Sequence, residues 1–520
     1  MARGRAAAAL LDPGTPDATA PIVETESGPV RGVRHGGYRR FQGIPYAAPP
    51  VGSRRWHAPE PVAPWTDPLE ATRPGGMSPQ LATVYAAVDS LSEDCLYLNV
   101  TTPDVATTEA PKPVMVWIHG GGGTNGAGDF FDPRRLVVDE DVVVVTFNYR
   151  LGIFGAFGYP GLEDGGSFGL LDQQAALQWV QRNVAAFGGD PERVTLFGES
   201  YGALSTSAQL LSPLAEGLFQ RAAVQSSLAL IDYPASTLMP GTEALPSMWL
   251  SAPELEAVGM YVAGELGISD TASGLEALRA VPVADLLPYS PIFTRFAYGN
   301  RVLPDDPVPA LRNGDVHQVP VISGGTRDEA RLYVGLFFAL AGQPVTAQRY
   351  PELLRQAFGE NAARVAARYP LDAYAAPDLA WSAVITDRVW ALATMAQHQG
   401  LAKRVPTFAY QFADRAAPPL LELPAGFEPG AYHMAEVPYQ FMVGEGEAPL
   451  TDAQWRLAER MNRYWANFAR TGDPNGRGLP ARPSFANDDY VQSLAPGDGS
   501  IAPVDYAADH QLDFWSTLFA

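Results

Sequence analysis

The sequence contains only one cysteine, Cys95, among 520 residues. A single thiol cannot form an intrachain disulfide, so a disulfide framework is excluded as a source of stability. Cys95 stands beside Leu96 and Leu98. We therefore expect it to pack in the interior as a small hydrophobic residue rather than to act as a nucleophile.

Long apolar runs and an excess of basic residues are also missing. No stretch of 18 or more consecutive apolar residues occurs, so no membrane-spanning helix is predicted. The formal net charge of −21 disfavours binding to nucleic acid or to anionic membranes and favours neutral or cationic partners. Histidine and cysteine never cluster at metal-ligand spacing, so neither a metal nor a cofactor is predicted.

The N-terminal residues 1–21 are rich in Ala, Pro and Asp and are predicted to form a flexible tail. The apolar run from Ala6 to Leu11 is shorter than the hydrophobic region of a secretory signal, and Asp12-Pro13 interrupts it. We therefore expect a cytoplasmic protein, with secretion as the open alternative. A monomer or a weak homodimer is expected.

Short strands alternate with helices through the first half of the chain. The runs Val114 to Ile118 and Asp141 to Tyr149 are apolar, as strands covered on both faces should be. Residues Asp172 to Asn183 show the apolar spacing of a helix. This alternation predicts an α/β fold with a large, mostly parallel central sheet flanked by helices.

Later strands are interrupted by long helical blocks. Strands are expected at Val319 to Gly325 and at Val405 to Phe412, and helical insertions are expected at about 234–315 and 335–400. We expect residues 22–520 to form a single domain in which the insertions make a helical cap.

The most informative stretch is Gly198-Glu199-Ser200-Tyr201-Gly202, which fits the G-x-S-x-G nucleophile elbow. The residues Arg193 to Phe197 before it favour a strand, and the small residues after it favour a helix, as this motif requires. Glycines at its two ends would let the strand and the helix pass closely. The alternative is a chance match in a chain with 50 glycines. The partners described below disfavour that alternative and indicate that Ser200 is a nucleophile.

A serine nucleophile requires a base, and the chain contains seven histidines. In proteins built on this elbow the chain order is serine, acid, histidine, so the base must follow Ser200. The candidates are His317, His398, His433 and His510. His433 has the most suitable context, a loop that follows the core strands.

The acid is expected at the end of a strand between the serine and the histidine. The predicted strand Val319 to Gly325 leads into Thr326-Arg327-Asp328-Glu329. Asp328 and Glu329 are therefore rival candidates, and the pattern does not choose between them.

A glycine run follows the apolar strand that ends at Ile118. The stretch His119-Gly120-Gly121-Gly122-Gly123 fits the HGGG-type motif whose backbone N–H groups form an oxyanion hole. Glycine is needed there because a side chain would block the approach of N–H groups to the developing negative charge. The N–H of Tyr201 would be a third donor. A phosphate-binding loop is disfavoured, since no Lys-Ser/Thr pair follows the glycines.

In combination, these motifs resemble type-B carboxylesterases, the cholinesterase-like branch of the α/β-hydrolase fold, in their bacterial para-nitrobenzyl-esterase-like form. The similarity extends from about Gly28 to the C-terminus and rests mainly on Phe187 to Gly202 and Glu93 to Val100. Supporting motifs lie at Phe41 to Ala47, Asn148 to Gly152, Gly169 to Gln173 and Asn467 to Pro474.

The resemblance implies a serine carboxylic-ester hydrolase that acts on a small-molecule ester through an acyl-serine intermediate. It assigns Ser200 as nucleophile, Glu329 as acid and His433 as base. An acyltransferase or cyclase on the same triad is the alternative enzyme. A non-catalytic binding module is a further alternative, but such modules are expected to lose a triad residue.

The resemblance also assigns Gly121, Gly122 and Tyr201 as oxyanion-hole donors, and Glu199 as a second buried acid near the base of the substrate gorge. The chain departs from the family at two positions beside these donors. Position 201 is usually small, whereas position 123 is usually a bulky aromatic residue, here replaced by Gly123. We expect the missing side chain at Gly123 to widen the substrate pocket.

Overall fold

The structure, a computed structural model, describes residues 20–83, 88–104, 110–268, 271–444 and 446–518, with the side chains of residues 271–272 left out. Most of the predicted N-terminal tail, residues 1–19, lies outside these ranges. Within them, none of the helices combines the length and the apolar character that crossing a membrane requires.

The centre of the structure is an 11-stranded sheet. In chain order, its strands are β1 (Val33–Arg34), β2 (Tyr38–Pro45), β3 (Tyr97–Pro103), β4 (Lys112–Ile118), β5 (Val143–Phe147), β6 (Gly189–Glu199), β7 (Arg221–Gln225), β8 (Val321–Thr326), β9 (Thr407–Phe412), β10 (Val491–Leu494) and β11 (Ala502–Val504). Across the sheet their order is β11-β10-β9-β8-β7-β6-β4-β5-β3-β2-β1.

The strands from β10 to β5 in this order are all parallel to one another. Antiparallel strands extend the sheet at both edges, with β11 at one side and β3, β2 and β1 at the other. The predicted α/β fold with a large, mostly parallel sheet is confirmed.

The two faces of the sheet belong to separate apolar clusters. In β4, Val114, Val116 and Ile118 pack on one face, whereas Met115 and Trp117 pack on the other. This strand is apolar throughout because layers of helices cover both of its sides.

Helices fill the connections between the strands. The α-helices span Arg134–Glu140, Gly152–Ala156, Phe168–Asn183, Tyr201–Leu211, Ala252–Glu265, Thr271–Ala280, Val283–Leu286, Pro307–Asn313, Ala330–Tyr333, Tyr350–Phe358, Ala362–Arg368, Pro377–Ile385, Leu392–Ala402, Val437–Gln440, Asp452–Thr471, Tyr506–Asp509 and Leu512–Leu518. Two π-helical segments, Val334–Leu340 and Thr386–Ala391, lie between β8 and β9.

Within the described residues, three small sheets lie outside the central one. They are formed by Ile22–Thr25 with Gly28–Arg31 and Leu69–Glu70, by Trp249–Ser251 with Phe296–Tyr298, and by Phe131–Asp132 with Met442–Val443. The second of these lies within the connection between β7 and β8, where the sequence predicts a helical insertion.

Candidate active site

The predicted nucleophile lies in a sharp turn between β6 and the following helix. Strand β6 ends at Glu199, the helix begins at Tyr201, and Ser200 between them has φ 59° and ψ −122°. A non-glycine residue adopts this conformation only when its surroundings enforce it, and such strain is concentrated at functional sites. The predicted strand-turn-helix context of Ser200 is therefore confirmed.

The glycines that bracket Ser200 are required by close backbone approach. A Cβ atom on Gly202 would lie 2.0 Å from the carbonyl oxygen of Ile118 in the neighbouring strand β4. A Cβ atom on Gly198 would lie 2.5 Å from the carbonyl oxygen of Gly202. Both distances are far below van der Waals contact, so any side chain here would push the helix off the sheet.

Glu329 and His433, predicted from different parts of the chain, are in direct contact. The His433 Nδ1 atom lies 2.6 Å from Glu329 Oε2, and both side chains are buried. The other carboxylate oxygen of Glu329 accepts hydrogen bonds from Ser226 Oγ at 2.7 Å and from the backbone N–H of Thr326 at 2.8 Å. These bonds fix the carboxylate, which in turn orients the imidazole.

Asp328, the rival acid, does not face His433. Its carboxylate accepts hydrogen bonds from Arg415 Nη2 at 2.8 Å, from Arg415 Nε at 3.0 Å and from the backbone N–H of Ala431 at 3.0 Å. The backbone N–H of Asp328 donates to the carbonyl of Ala431 at 2.9 Å. Asp328 therefore joins the loop after β8 to the loop that carries His433.

Two of the other histidines that follow Ser200 have separate hydrogen-bond partners, and the third is buried. His317 Nε2 lies 2.8 Å from the carbonyl oxygen of Ser212, and His510 Nδ1 lies 2.7 Å from Asp387. His398 is fully buried, and burial lowers its pKa to about 3. Among the described residues, only His433 joins the predicted acid.

The second imidazole nitrogen of His433 faces Glu199. The His433 Nε2 atom lies 3.2 Å from Glu199 Oε1, and it forms no hydrogen bond within the described part of the chain. Burial, reinforced by the nearby charge of Glu329, raises the pKa of Glu199 well above its usual value. The rings of Trp390 and Tyr333 flank the imidazole, with centroids 4.7 Å and 5.2 Å away.

The glycine run forms a tight loop against the nucleophile. Gly121, Gly122 and Gly123 have φ angles of 105°, 63° and 74°, a region that side-chain-bearing residues avoid. A Cβ atom on Gly120 would lie 3.1 Å from Ser200 Cβ, which places the loop directly beside the serine. The glycine loop that contains the predicted donors Gly121 and Gly122 therefore lies close to Ser200.

Tyr201 changes the expectation for Gly123. A Cβ atom on Gly123 would lie 2.5 Å from Cζ of the Tyr201 ring, so the ring fills the space beside this glycine. The ring is buried and packs against Phe296 with a centroid distance of 5.1 Å. The expected widening of the substrate pocket at Gly123 is therefore wrong at this point. The space left by the missing side chain at position 123 is filled by the ring of Tyr201.

Cys95 is buried, as the sequence predicts, and burial raises the pKa of its thiol. No group of three or more His, Cys, Asp or Glu side chains within the described ranges is placed to hold a metal ion.

The structure also reveals two residues that sequence reasoning missed. Ser226 lies just after β7 with φ 53°, and Glu436 is a buried carboxyl three positions after His433.

Comparison with known proteins identifies the family. The model of the carboxylesterase family matches residues 19–515. This chain belongs to the carboxylesterase family. The carboxylesterase is 35% identical over 470 residues to the para-nitrobenzyl esterase of Bacillus subtilis (strain 168). The aligned region covers 87% of this chain and 90% of the relative. It is 32% identical over 538 residues to the cocaine esterase of Oryctolagus cuniculus, with 96% of each chain covered.

Solved structures agree with this assignment. A thermophilic PNB esterase matches the carboxylesterase with a TM-score of 0.76 and 31% identity, covering 96% of this chain and 100% of the other. A second PNB esterase structure gives a TM-score of 0.76 and 32% identity with the same coverage. The α/β-hydrolase fold implied by the sequence motifs is confirmed, and so is an esterase of the serine-hydrolase class.

Proposed function

We propose that this carboxylesterase hydrolyses small-molecule carboxylic esters through an acyl-serine intermediate formed on Ser200. The observation that carries the proposal is the 2.6 Å contact between His433 Nδ1 and Glu329 Oε2, and the strained turn that holds Ser200 supports it. A carboxylate on Nδ1 keeps the proton on that nitrogen, which leaves Nε2 free to accept the proton of the serine hydroxyl.

The reaction proceeds in two displacements. Ser200 Oγ attacks the ester carbonyl while His433 Nε2 takes its proton, and the carbonyl π electrons move to oxygen. Collapse of the tetrahedral intermediate breaks the carbon–oxygen bond to the alcohol, and His433 returns the proton to the departing alkoxide. Water then attacks the acyl-serine with His433 as base, which releases the carboxylic acid and regenerates Ser200.

The backbone N–H groups of Gly121, Gly122 and Tyr201 stabilise the oxyanion formed in both steps. The positive φ angles of the glycines support this assignment, because they allow successive N–H groups to turn toward one point. One such donor contributes about 3 kcal/mol to transition-state stabilisation in related chemistry. Tyr201 is suited to the role because its N–H begins the helix directly after Ser200 and lies at the positive end of the helix dipole.

Glu199 and Gly123, with the ring of Tyr201, line the substrate pocket in this proposal. Burial and the nearby charge of Glu329 raise the pKa of Glu199, which weakens any ion pair between this carboxyl and His433. We also infer that residues 22–520 act as one catalytic domain, because Ser200, Glu329 and His433 follow three different strands of a single sheet.

The test is replacement of the nucleophile. Ser200→Ala is expected to lower kcat for p-nitrophenyl acetate by at least about 10⁴-fold without changing the circular dichroism spectrum. Ser205→Ala is the matched control, since Ser205 is buried in the helix that starts at Tyr201 but is outside the proposed machinery. Wild-type turnover in Ser200→Ala would refute the proposal. Transfer of the acyl group to an added alcohol instead of water would favour the acyltransferase alternative.

A further inference from the structure

A polar cavity of about 390 Å³ lies beside the loop that carries Glu329. Four arginines from three parts of the chain line it: Arg327, Arg331, Arg368 and Arg415. Such a concentration of guanidinium groups is notable in a chain whose formal net charge is −21. The proposed ester mechanism uses none of these side chains.

The carboxylates of the cavity are already bound to other groups. Asp328 is shared by Arg415 at 2.8 Å and Arg331 at 3.6 Å, and Asp509 lies 3.4 Å from Arg327. The third carboxylate, Asp387, accepts the Tyr369 hydroxyl at 2.8 Å and lies 2.7 Å from His510 Nδ1. Three carboxylates therefore face four arginines, which leaves an excess of positive charge.

Arg368 carries this excess. It makes no ion pair with any carboxylate in the described part of the chain, and its guanidinium carbon lies 6.0 Å from the centroid of the Phe514 ring. Arg331 is also poorly neutralised. Its side chain is only 14% exposed, and its nearest carboxylate contact is the 3.6 Å approach to Asp328.

The phenol of Tyr374 lines the same cavity as these guanidinium groups. Burial and, after it, the charge of Asp387 raise the pKa of Tyr374 to about 12, while Arg331, Arg368 and Arg415 act in the opposite direction. Burial lowers the pKa of Arg331, and the charges of Arg415 and Arg327 act in the same direction against those of Asp328 and Glu428. The lining of one cavity therefore combines four guanidinium groups with a phenol, and a bound anion would reduce the repulsion among the cations.

We propose that this cavity binds a small oxyanion, a carboxylate or a phosphate group, through Arg368, Arg331 and Arg415 with the Tyr374 hydroxyl as a further donor. Planar guanidinium groups match the oxygens of carboxylate and phosphate with paired, charge-assisted hydrogen bonds. The exposed Arg368 and Arg415 lie at the entrance and attract the anion, whereas the mostly buried Arg331 anchors it. The site is distinct from the proposed acyl-serine site.

The experiment titrates the full-length protein with inorganic phosphate and, separately, with acetate by isothermal calorimetry at constant ionic strength. Wild type is expected to bind one equivalent of at least one of these probes, and the two arms show whether phosphate or carboxylate is preferred. Arg368→Gln is expected to weaken this binding by about tenfold, because a charge-assisted hydrogen bond is lost.

Arg364→Gln is the matched control. Arg364 lies on the same helix, Ala362–Arg368, is exposed, and does not line the cavity. The Arg364→Gln variant should bind the probe with the same affinity as wild type. The proposal is overturned if wild type binds neither probe saturably, or if Arg368→Gln and Arg364→Gln bind the probe with equal affinity. Thermal unfolding of each variant, measured first, establishes that it is folded.

Discussion

Tyr201 is expected to set the size of the group that this esterase accepts. Its ring lies beside Gly123, at the glycine loop proposed to bind the oxyanion, and it is only 3% exposed. Replacing it with alanine removes the ring but keeps the backbone N–H that is proposed to bind the oxyanion. Tyr201→Ala should therefore enlarge the pocket without removing any group from the reaction.

The magnitude follows from the space that the ring vacates. If a substrate fills it with three additional methylene groups, each contributes about 0.8 kcal/mol of burial. The total of about 2.4 kcal/mol corresponds to a roughly fiftyfold change in the ratio of kcat/KM between long and short substrates. Removing a buried aromatic side chain also costs about 3–5 kcal/mol of folding stability, so assays must be run well below the unfolding temperature.

The assay measures kcat/KM for two series of p-nitrophenyl and alkyl esters, one varying the acyl length and the other the size of the alcohol. Tyr201→Phe is the matched control, because it keeps the ring and loses only the hydroxyl. At least one series should shift toward larger substrates in Tyr201→Ala and remain unchanged in Tyr201→Phe. Unchanged ratios in both series for a folded Tyr201→Ala enzyme would refute the reasoning.

Other predictions concern the buried carboxyls. Glu329→Gln should lower kcat by about 10⁴-fold, because an amide cannot hold His433 in the required tautomer, and Asp328→Asn should lower it far less. Turnover of p-nitrophenyl acetate measures both, and the reverse ranking would contradict the choice of acid. Burial, Glu199 and Glu329 raise the pKa of Glu436 from 4.5 to about 8. The folded protein therefore keeps a proton that the unfolded chain loses, and stability should fall as pH rises through this window by up to about 1.4 kcal/mol per unit. Between pH 5 and pH 8, the free energy of unfolding measured in urea should fall less for Glu436→Gln than for wild type. An equal fall in both proteins would contradict the predicted direction.

Part of the central sheet is predictable because several of its buried parallel strands carry continuous apolar runs. The prediction at Val114 to Ile118 falls within β4, and that at Val405 to Phe412 contains β9. The strands β10 and β11, which close one side of the sheet, were missed. They are short, and β11 is incompletely buried, so little hydrophobic pattern marks it.

One part of the candidate site is also predictable from the local sequence, whereas another part is not. The motif around Ser200 specifies its own strand, turn and helix, since the close contacts at Gly198 and Gly202 admit no side chain. The choice between Asp328 and Glu329 depends instead on tertiary contacts. Adjacent residues on a tight loop point in different directions, and only the fold shows that Asp328 meets Arg415 while Glu329 meets His433.

Residues that act through the fold give no motif of their own. The Ser226 hydroxyl reaches Glu329 from the end of a different strand, so no local spacing relates the two. The same limit applies to Gly123 and Tyr201, which are 78 positions apart in the chain yet occupy one space. The sequence shows that positions 123 and 201 each depart from the family. Only the packing shows that the Tyr201 ring fills the space beside Gly123.

The most direct test of the proposed chemistry is covalent capture of the nucleophile. Diethyl p-nitrophenyl phosphate should transfer one diethylphosphoryl group to each chain and release one equivalent of p-nitrophenol. Peptide mass spectrometry is predicted to place the group on Ser200 in wild type, with loss of esterase activity in proportion to labelling, and to find no label in Ser200→Ala. A label on another residue that abolishes activity, or full esterase activity in a protein labelled at Ser200, would contradict the account.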